Sequence, residues 1–169
     1  MRYVRGWLGA AAAALLALGF AGAARADDPA FVALSAGYFD TIDTDHDAFE
    51  GRIEYRHDKK FWIFKPFAGL MGTSDTTIHA FAGVLVDIYF GRRWVLTPSF
   101  APGYYYEGDG KDIGGPIEFR SQIELSYRFD DRSRLGLSFN HISNAGIYDR
   151  NPGTETVAIT YAIPLGRGK

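Results

Sequence analysis

Between Ala48 and Arg56 the chain alternates without a break: Phe49, Gly51, Ile53 and Tyr55 occupy the odd positions, and Glu50, Arg52, Glu54 and Arg56 the even ones. Over 116–129 the pattern returns, with Ile117, Phe119, Ile123, Leu125, Tyr127 and Phe129 set against Glu118, Arg120, Gln122, Glu124, Ser126 and Arg128. A period of two sends successive side chains to opposite faces of a strand, so these segments carry one apolar face and one heavily charged face. Past the first 26 residues there is no long apolar helix and little 3.6-residue periodicity. The pattern predicts an all-β chain.

Two architectures show such strands: a soluble sandwich or barrel with an apolar core, and a membrane barrel with its apolar face outside and its polar face within. Strand length favours the second. Eight strands are expected, at 31–39, 48–57, 61–73, 78–90, 93–106, 116–129, 133–145 and 154–165, most of them long enough for a tilted span of about 9 to 11 residues. Connection lengths alternate too. Residues 58–60, 91–92 and 130–132 are tight turns, 40–47, 107–115 and 146–153 are longer, and 74–77 is a shorter exception. Outer-membrane barrels pair short periplasmic turns with longer outer loops. Tyr55, Phe61, Trp62, Tyr89, Phe90, Trp94, Tyr127 and Phe129 flank the tight turns as an aromatic girdle would. The expected fold is an eight-stranded antiparallel transmembrane β-barrel whose lumen pairs alternating Glu and Arg. Pro66, Pro98 and Pro102 fall inside strands and predict bulges or shifted boundaries there. The last strand lacks a terminal aromatic, which leaves its end open.

Arg2 and Arg5 precede an Ala/Leu-rich run from Trp7 to Gly22, and Ala24-Arg25-Ala26 supplies the small residues of a cleavage site. Residues 1–26 therefore read as an export signal and 27–169 as the barrel domain. Taking the three Arg of the signal from a net charge of −2 leaves −5, which speaks against nucleic acid as a partner. There is no Cys, so nothing depends on disulfides.

Chemistry concentrates in Phe139-Asn140-His141-Ile142-Ser143-Asn144-Ala145 and in Asn151-Pro152-Gly153-Thr154-Glu155. Parity places His141 and Ser143 on the face of Leu135, Leu137 and Phe139, and Glu155 on the face of Val157, Ile159, Tyr161 and Ile163. On the barrel reading that face is the outside. A hairpin centred near Tyr148 sets Glu155 directly across from His141, about 4.5 to 5.5 Å between Cβ atoms. A hydroxyl, an imidazole and a carboxylate then meet at the rim, where a polar group costs about 0 to 1 kcal/mol rather than the 2 to 4 of the bilayer midplane. Asp43, Asp45, Asp47 and Glu54 are similar to a calcium loop in spacing, but Ala48 stands where the sharp turn needs Gly, and the segment reads as an acidic outer loop. His46, His57 and His79 have no zinc spacing, so no metal site is expected.

These two motifs, with the interval from His141 to Glu155, resemble those of outer-membrane lipid A deacylases of the PagL type. The resemblance implies an esterase of the outer membrane that removes the hydroxyacyl chain at the 3 position of lipid A without a cofactor. Carried over, Ser143 is the nucleophile, His141 the general base and Glu155 its orienting acid. Asn144 is the candidate oxyanion residue through its side chain or nearby N–H groups. Gly146 lets substrate approach closely, and Asn151 holds either the loop or the carbonyl oxygen. The implied partners are lipopolysaccharide and outer-membrane lipids, with a homodimer admitted. Two alternatives stay open: a non-enzymatic structural or adhesion barrel, and an acyltransferase barrel.

Overall fold

A computed structural model describes residues 28–44 and 46–166; the expected signal at 1–26 lies outside the described residues. The strands are β1 (Ala30–Phe39), β2 (Ala48–Arg56), β3 (Lys65–Thr73), β4 (Ile78–Leu85), β5 (Ile88–Phe90), β6 (Trp94–Tyr106), β7 (Ile117–Arg128), β8 (Arg134–Ser143) and β9 (Thr154–Leu165). All pair antiparallel. β1 pairs both β2 and β9, and β4 pairs β6, so the sheet closes on itself. β4 and β5 are two stretches of one stave, since both face β6 in a single register: Leu85 lies opposite Ser99 and Ile88 opposite Leu96. The barrel thus has the eight staves expected.

The prolines act without bulges. Pairing of β4 with β6 lapses opposite Pro102 and again opposite Pro98, then resumes in the same register. Proline has no N–H to donate, so the ladder loses bonds there but gains no extra residue. Pro66 keeps its place in β3, where its carbonyl accepts the His57 N–H at 2.9 Å. A second correction concerns 61–64, expected to open the third strand. Phe61 and Phe64 form their own small bridge, and Trp62 has φ of 59°, so the chain turns there and β3 begins at Lys65. Phe61 and Trp62 project outward at 85% and 75% exposure, beside Tyr55, Phe90, Trp94 and Phe129. Tyr89 leaves the expected girdle, because its hydroxyl accepts a hydrogen bond from Arg134 inside the barrel at 2.8 Å.

Parity explains the layering. Exposed Leu34, Ile53, Leu70, Ile123, Leu137 and Ile159 belong to a band of apolar side chains around the outer wall. A soluble monomer does not expose such a belt, whereas a membrane barrel must. Inside, Arg52 bonds Glu50 and Glu54, Arg56 bonds Glu54 and Glu124, and Arg134 bonds Asp28 and Asp87. Desolvated charges persist only when paired in this way. The lumen is not wholly polar, since Phe39, Phe67, Met71, Phe81, Ile113 and Ile142 form an apolar cluster toward one mouth. That mouth carries the connections at 40–47, 74–77, 107–116 and 144–153, the last two the longest between staves, and the site described next.

Candidate active site

His141 and Glu155 are Cα partners across β8 and β9, and Nδ1 of the imidazole meets Oε1 of the carboxylate at 2.8 Å. The imidazole is 42% exposed and Glu155 18%. Ser143 follows His141 on the outward face of β8 and is half-buried, while Ile142 and Asn144 on either side of it point inward and are buried. All three candidate residues stand on the lipid-facing wall just below the 144–153 loop. Against a carboxylate acceptor Nδ1 carries the proton, which leaves the lone pair on Nε2.

The strand ends are held from both sides. Thr41 donates its backbone N–H and its hydroxyl to the Glu155 carbonyl at 3.1 and 3.3 Å. Thr154 donates to Asp40 at 3.1 Å, and Lys111 grips Asp40 and Asp43 at 2.6 and 2.9 Å. These bonds fix the backbone from which Glu155 reaches His141. Gly153, at φ of 70°, lies against the imidazole: a Cβ there would come within 2.9 Å of His141 Cε1 and 3.5 Å of Nε2.

β8 ends because Ala145 and Gly146 take φ of 55° and 78°, which no strand continues. Asn144 builds that turn. Its Oδ1 accepts the Gly146 N–H at 2.9 Å, and its Nδ2 donates to the carbonyls of Ile113 and Arg150 at 3.0 and 2.8 Å. Its own N–H donates to Oδ1 of Asn151 at 2.9 Å. The Asn144 carboxamide is therefore engaged inside the barrel mouth and turned away from Ser143. Asn151 is exposed, with its Oδ1 bound and its NH2 end turned away from that bond. Gly146 has open space where a Cβ would stand.

Three features were not read from the sequence. The 107–116 loop folds into the mouth, burying Ile113 and bringing Gly115 against the Tyr148 ring. Gly153 stands where any side chain would press on the imidazole. Phe119 lies across from Ser143 on β7 and stacks on Phe100 at 5.8 Å and 12°. Parity alone put Phe119 on the outward face, but its partner depended on strand register. Among the described residues no group of His, Cys, Asp and Glu is placed to hold a metal ion.

The family model for lipid A 3-O-deacylase (PagL) matches residues 47–164, well over half of the chain and every residue of this site. A lipid A deacylase PagL from Bordetella bronchiseptica is 41% identical over 51 residues, 30% of this chain and 29% of that relative, so the similarity spans under a third of the relative's length. Among solved structures, the crystal structure of the outer membrane enzyme PagL matches with a TM-score of 0.64 at 16% identity, covering 80% of this chain and 99% of that one. Neisserial surface protein A matches at 0.56 and 8% identity, over 83% and 98% of the two chains. A de novo designed transmembrane β-barrel matches at 0.51 and 14%, over 82% and 98%. At these identities the structural matches show the barrel fold alone.

Proposed function

Because the chain belongs to the lipid A 3-O-deacylase (PagL) family, we propose that it hydrolyses the 3-O-linked hydroxyacyl ester of lipid A in the outer leaflet of the outer membrane, by a Ser-His-Glu mechanism. One observation carries the reading: a His–Glu pair at 2.8 Å shares the lipid-facing wall with Ser143, at the mouth with the longer loops. A structural barrel gains nothing from a half-exposed His–Glu hydrogen bond placed toward lipid.

Nε2 of His141 takes the proton of Ser143 as Oγ attacks the ester carbonyl, and Glu155 stabilises the imidazolium that forms. The tetrahedral intermediate collapses, the sugar hydroxyl leaves with that proton, and the acyl group remains on Oγ. Water, deprotonated by His141, then releases the hydroxy acid and restores Ser143. The NH2 group of Asn151 is the donor we assign to the oxyanion, since the Asn144 side chain is engaged elsewhere. Asn144 acts by holding Asn151 and the turn. Two residues below His141, a shallow groove of about 280 Å³ lined by Leu96, Ile123, Leu125, Leu137, Phe139 and Val157 runs down the wall. It offers an apolar bed for the chain to be cleaved.

Mass spectrometry of lipid A incubated with the purified barrel in mixed micelles tests the reading. Loss of one hydroxyacyl chain, absent with Ser143→Ala, supports it. An added acyl chain would mark an acyltransferase, and unchanged lipid A a barrel without this activity.

A further inference from the structure

The geometry points to Arg150 as the residue that binds the phosphate of the lipid A glucosamine carrying the cleaved ester. This inference rests on the substrate class proposed above. Lipid A is anionic through phosphates on its sugars, and the mouth it must approach is acidic. The loops at 40–47, 74–77, 107–116 and 144–153 contain nine Asp and Glu against two Lys and Arg, namely Lys111 and Arg150. Such a rim repels phosphate everywhere except at an accessible cation.

Lys111 is not accessible. It is 8% exposed and held by both Asp40 and Asp43. Arg150 is 65% exposed, and its partner Asp112 is 52% exposed. An ion pair this open to solvent is weakly held, and its guanidinium exchanges readily to an incoming anion. A phosphate accepts bidentate hydrogen bonds from that planar fork, which makes it the better partner. The Gly114 N–H and then the Arg150 guanidinium hold the Asp112 carboxyl below the ordinary range, so Asp112 stays ionised and keeps Arg150 in place between substrates.

The backbone of Arg150 is fixed relative to the reacting atoms. Its carbonyl accepts Asn144 Nδ2 at 2.8 Å, and Asn144 is the neighbour of Ser143. Gly114 packs so closely on the same carbonyl that a Cβ would lie 2.1 Å away. The side chain thus projects from an anchored point, one residue before Asn151. Lipid A carries a phosphate at position 1 of the ring whose 3-hydroxyl bears the ester. An arginine on the 144–153 loop, which joins the strand of Ser143 to that of Glu155, can hold that ring while Ser143 attacks.

Steady-state hydrolysis by the intact barrel tests this, with lipid A bearing both phosphates, its 1-dephospho form and its 4′-dephospho form. With both phosphates present, Arg150→Gln should raise apparent KM about tenfold with little change in kcat, as expected for loss of a charge-assisted bidentate contact. Arg150→Lys should recover part of the loss, and Asp112→Asn, which frees Arg150, should lower KM. The gap between wild type and Arg150→Gln should persist on the 4′-dephospho form and shrink below twofold on the 1-dephospho form. An equal penalty on all three substrates, or none on any, overturns the assignment while leaving the deacylase reading intact. A wild-type barrel that cleaves none of the three overturns both.

Discussion

His141 and Glu155 are fourteen residues apart in the chain and directly opposite in the sheet, with Nδ1 and Oε1 2.8 Å apart on the outer wall of the barrel. Antiparallel register around the 144–153 loop creates this meeting, and parity turns it toward lipid rather than the lumen. Barrel and site are therefore set by the same alternation. A slip of one residue in β9 would turn Glu155 inward and leave the imidazole without its hydrogen-bond partner.

Ser143→Ala and His141→Ala should each nearly abolish ester hydrolysis, leaving about 10³ to 10⁴ over the uncatalysed reaction from binding and oxyanion stabilisation alone. Both side chains stand on the outer wall, so the barrel should keep its heat-modifiable mobility on gels. Turnover of purified lipid A near the wild-type rate in either variant would remove that residue from the mechanism.

Gly153 offers a sharper test of ring placement. A Cβ there meets the His141 ring at 2.9 Å on a backbone at φ of 70°, whereas at Gly146, φ of 78°, it meets nothing within 4 Å. Both alanines strain the backbone by about 1 to 3 kcal/mol, but only Gly153→Ala also displaces the imidazole. Turnover should fall much further in Gly153→Ala than in Gly146→Ala, with similar thermal midpoints. Equal activity in the two would show that the ring tolerates the displacement.

The period of two made the barrel legible, because one-sided burial forces alternation. It also made the outward face of His141, Ser143 and Glu155 legible before any pairing was known. Pairing itself was readable only across the hairpin that joins β8 and β9. Phe119 meets Ser143 through β7, and the 107–116 loop reaches Asn144 through the barrel mouth; neither contact leaves a periodic trace in the sequence. The turn at 61–64 hides in the sequence for a local reason, since Phe61 and Trp62 are apolar like strand residues but stand exposed where the chain turns.

Arg56 reaches from β2 to Glu124 on β7 at 2.7 Å and to Glu54 at 2.8 Å in the lumen. Arg56→Ala should destabilise the barrel by about 3 to 5 kcal/mol, because it strands buried carboxylates. Pairing it with Glu124→Gln should recover part of that loss. Urea unfolding in lipid vesicles, followed by tryptophan fluorescence, reads both; an unshifted midpoint for Arg56→Ala would show that water compensates the carboxylates.

Glu155 separates two roles that the geometry joins. If its charge stabilises the imidazolium, the interaction is stronger in the transition state than in the ground state, and its loss lowers kcat rather than raising KM. Glu155→Ala removes both orientation and charge, whereas Glu155→Gln keeps an acceptor opposite Nδ1 and loses the charge. Turnover should therefore fall strongly in Glu155→Ala, to an intermediate level in Glu155→Gln and least in Glu155→Asp, whose shorter arm keeps the carboxylate. A carboxylate that only touched the sugar would behave differently. Its loss would raise apparent KM in mixed micelles of varied lipid A surface concentration at unchanged kcat, and that result would exclude Glu155 from the chemistry.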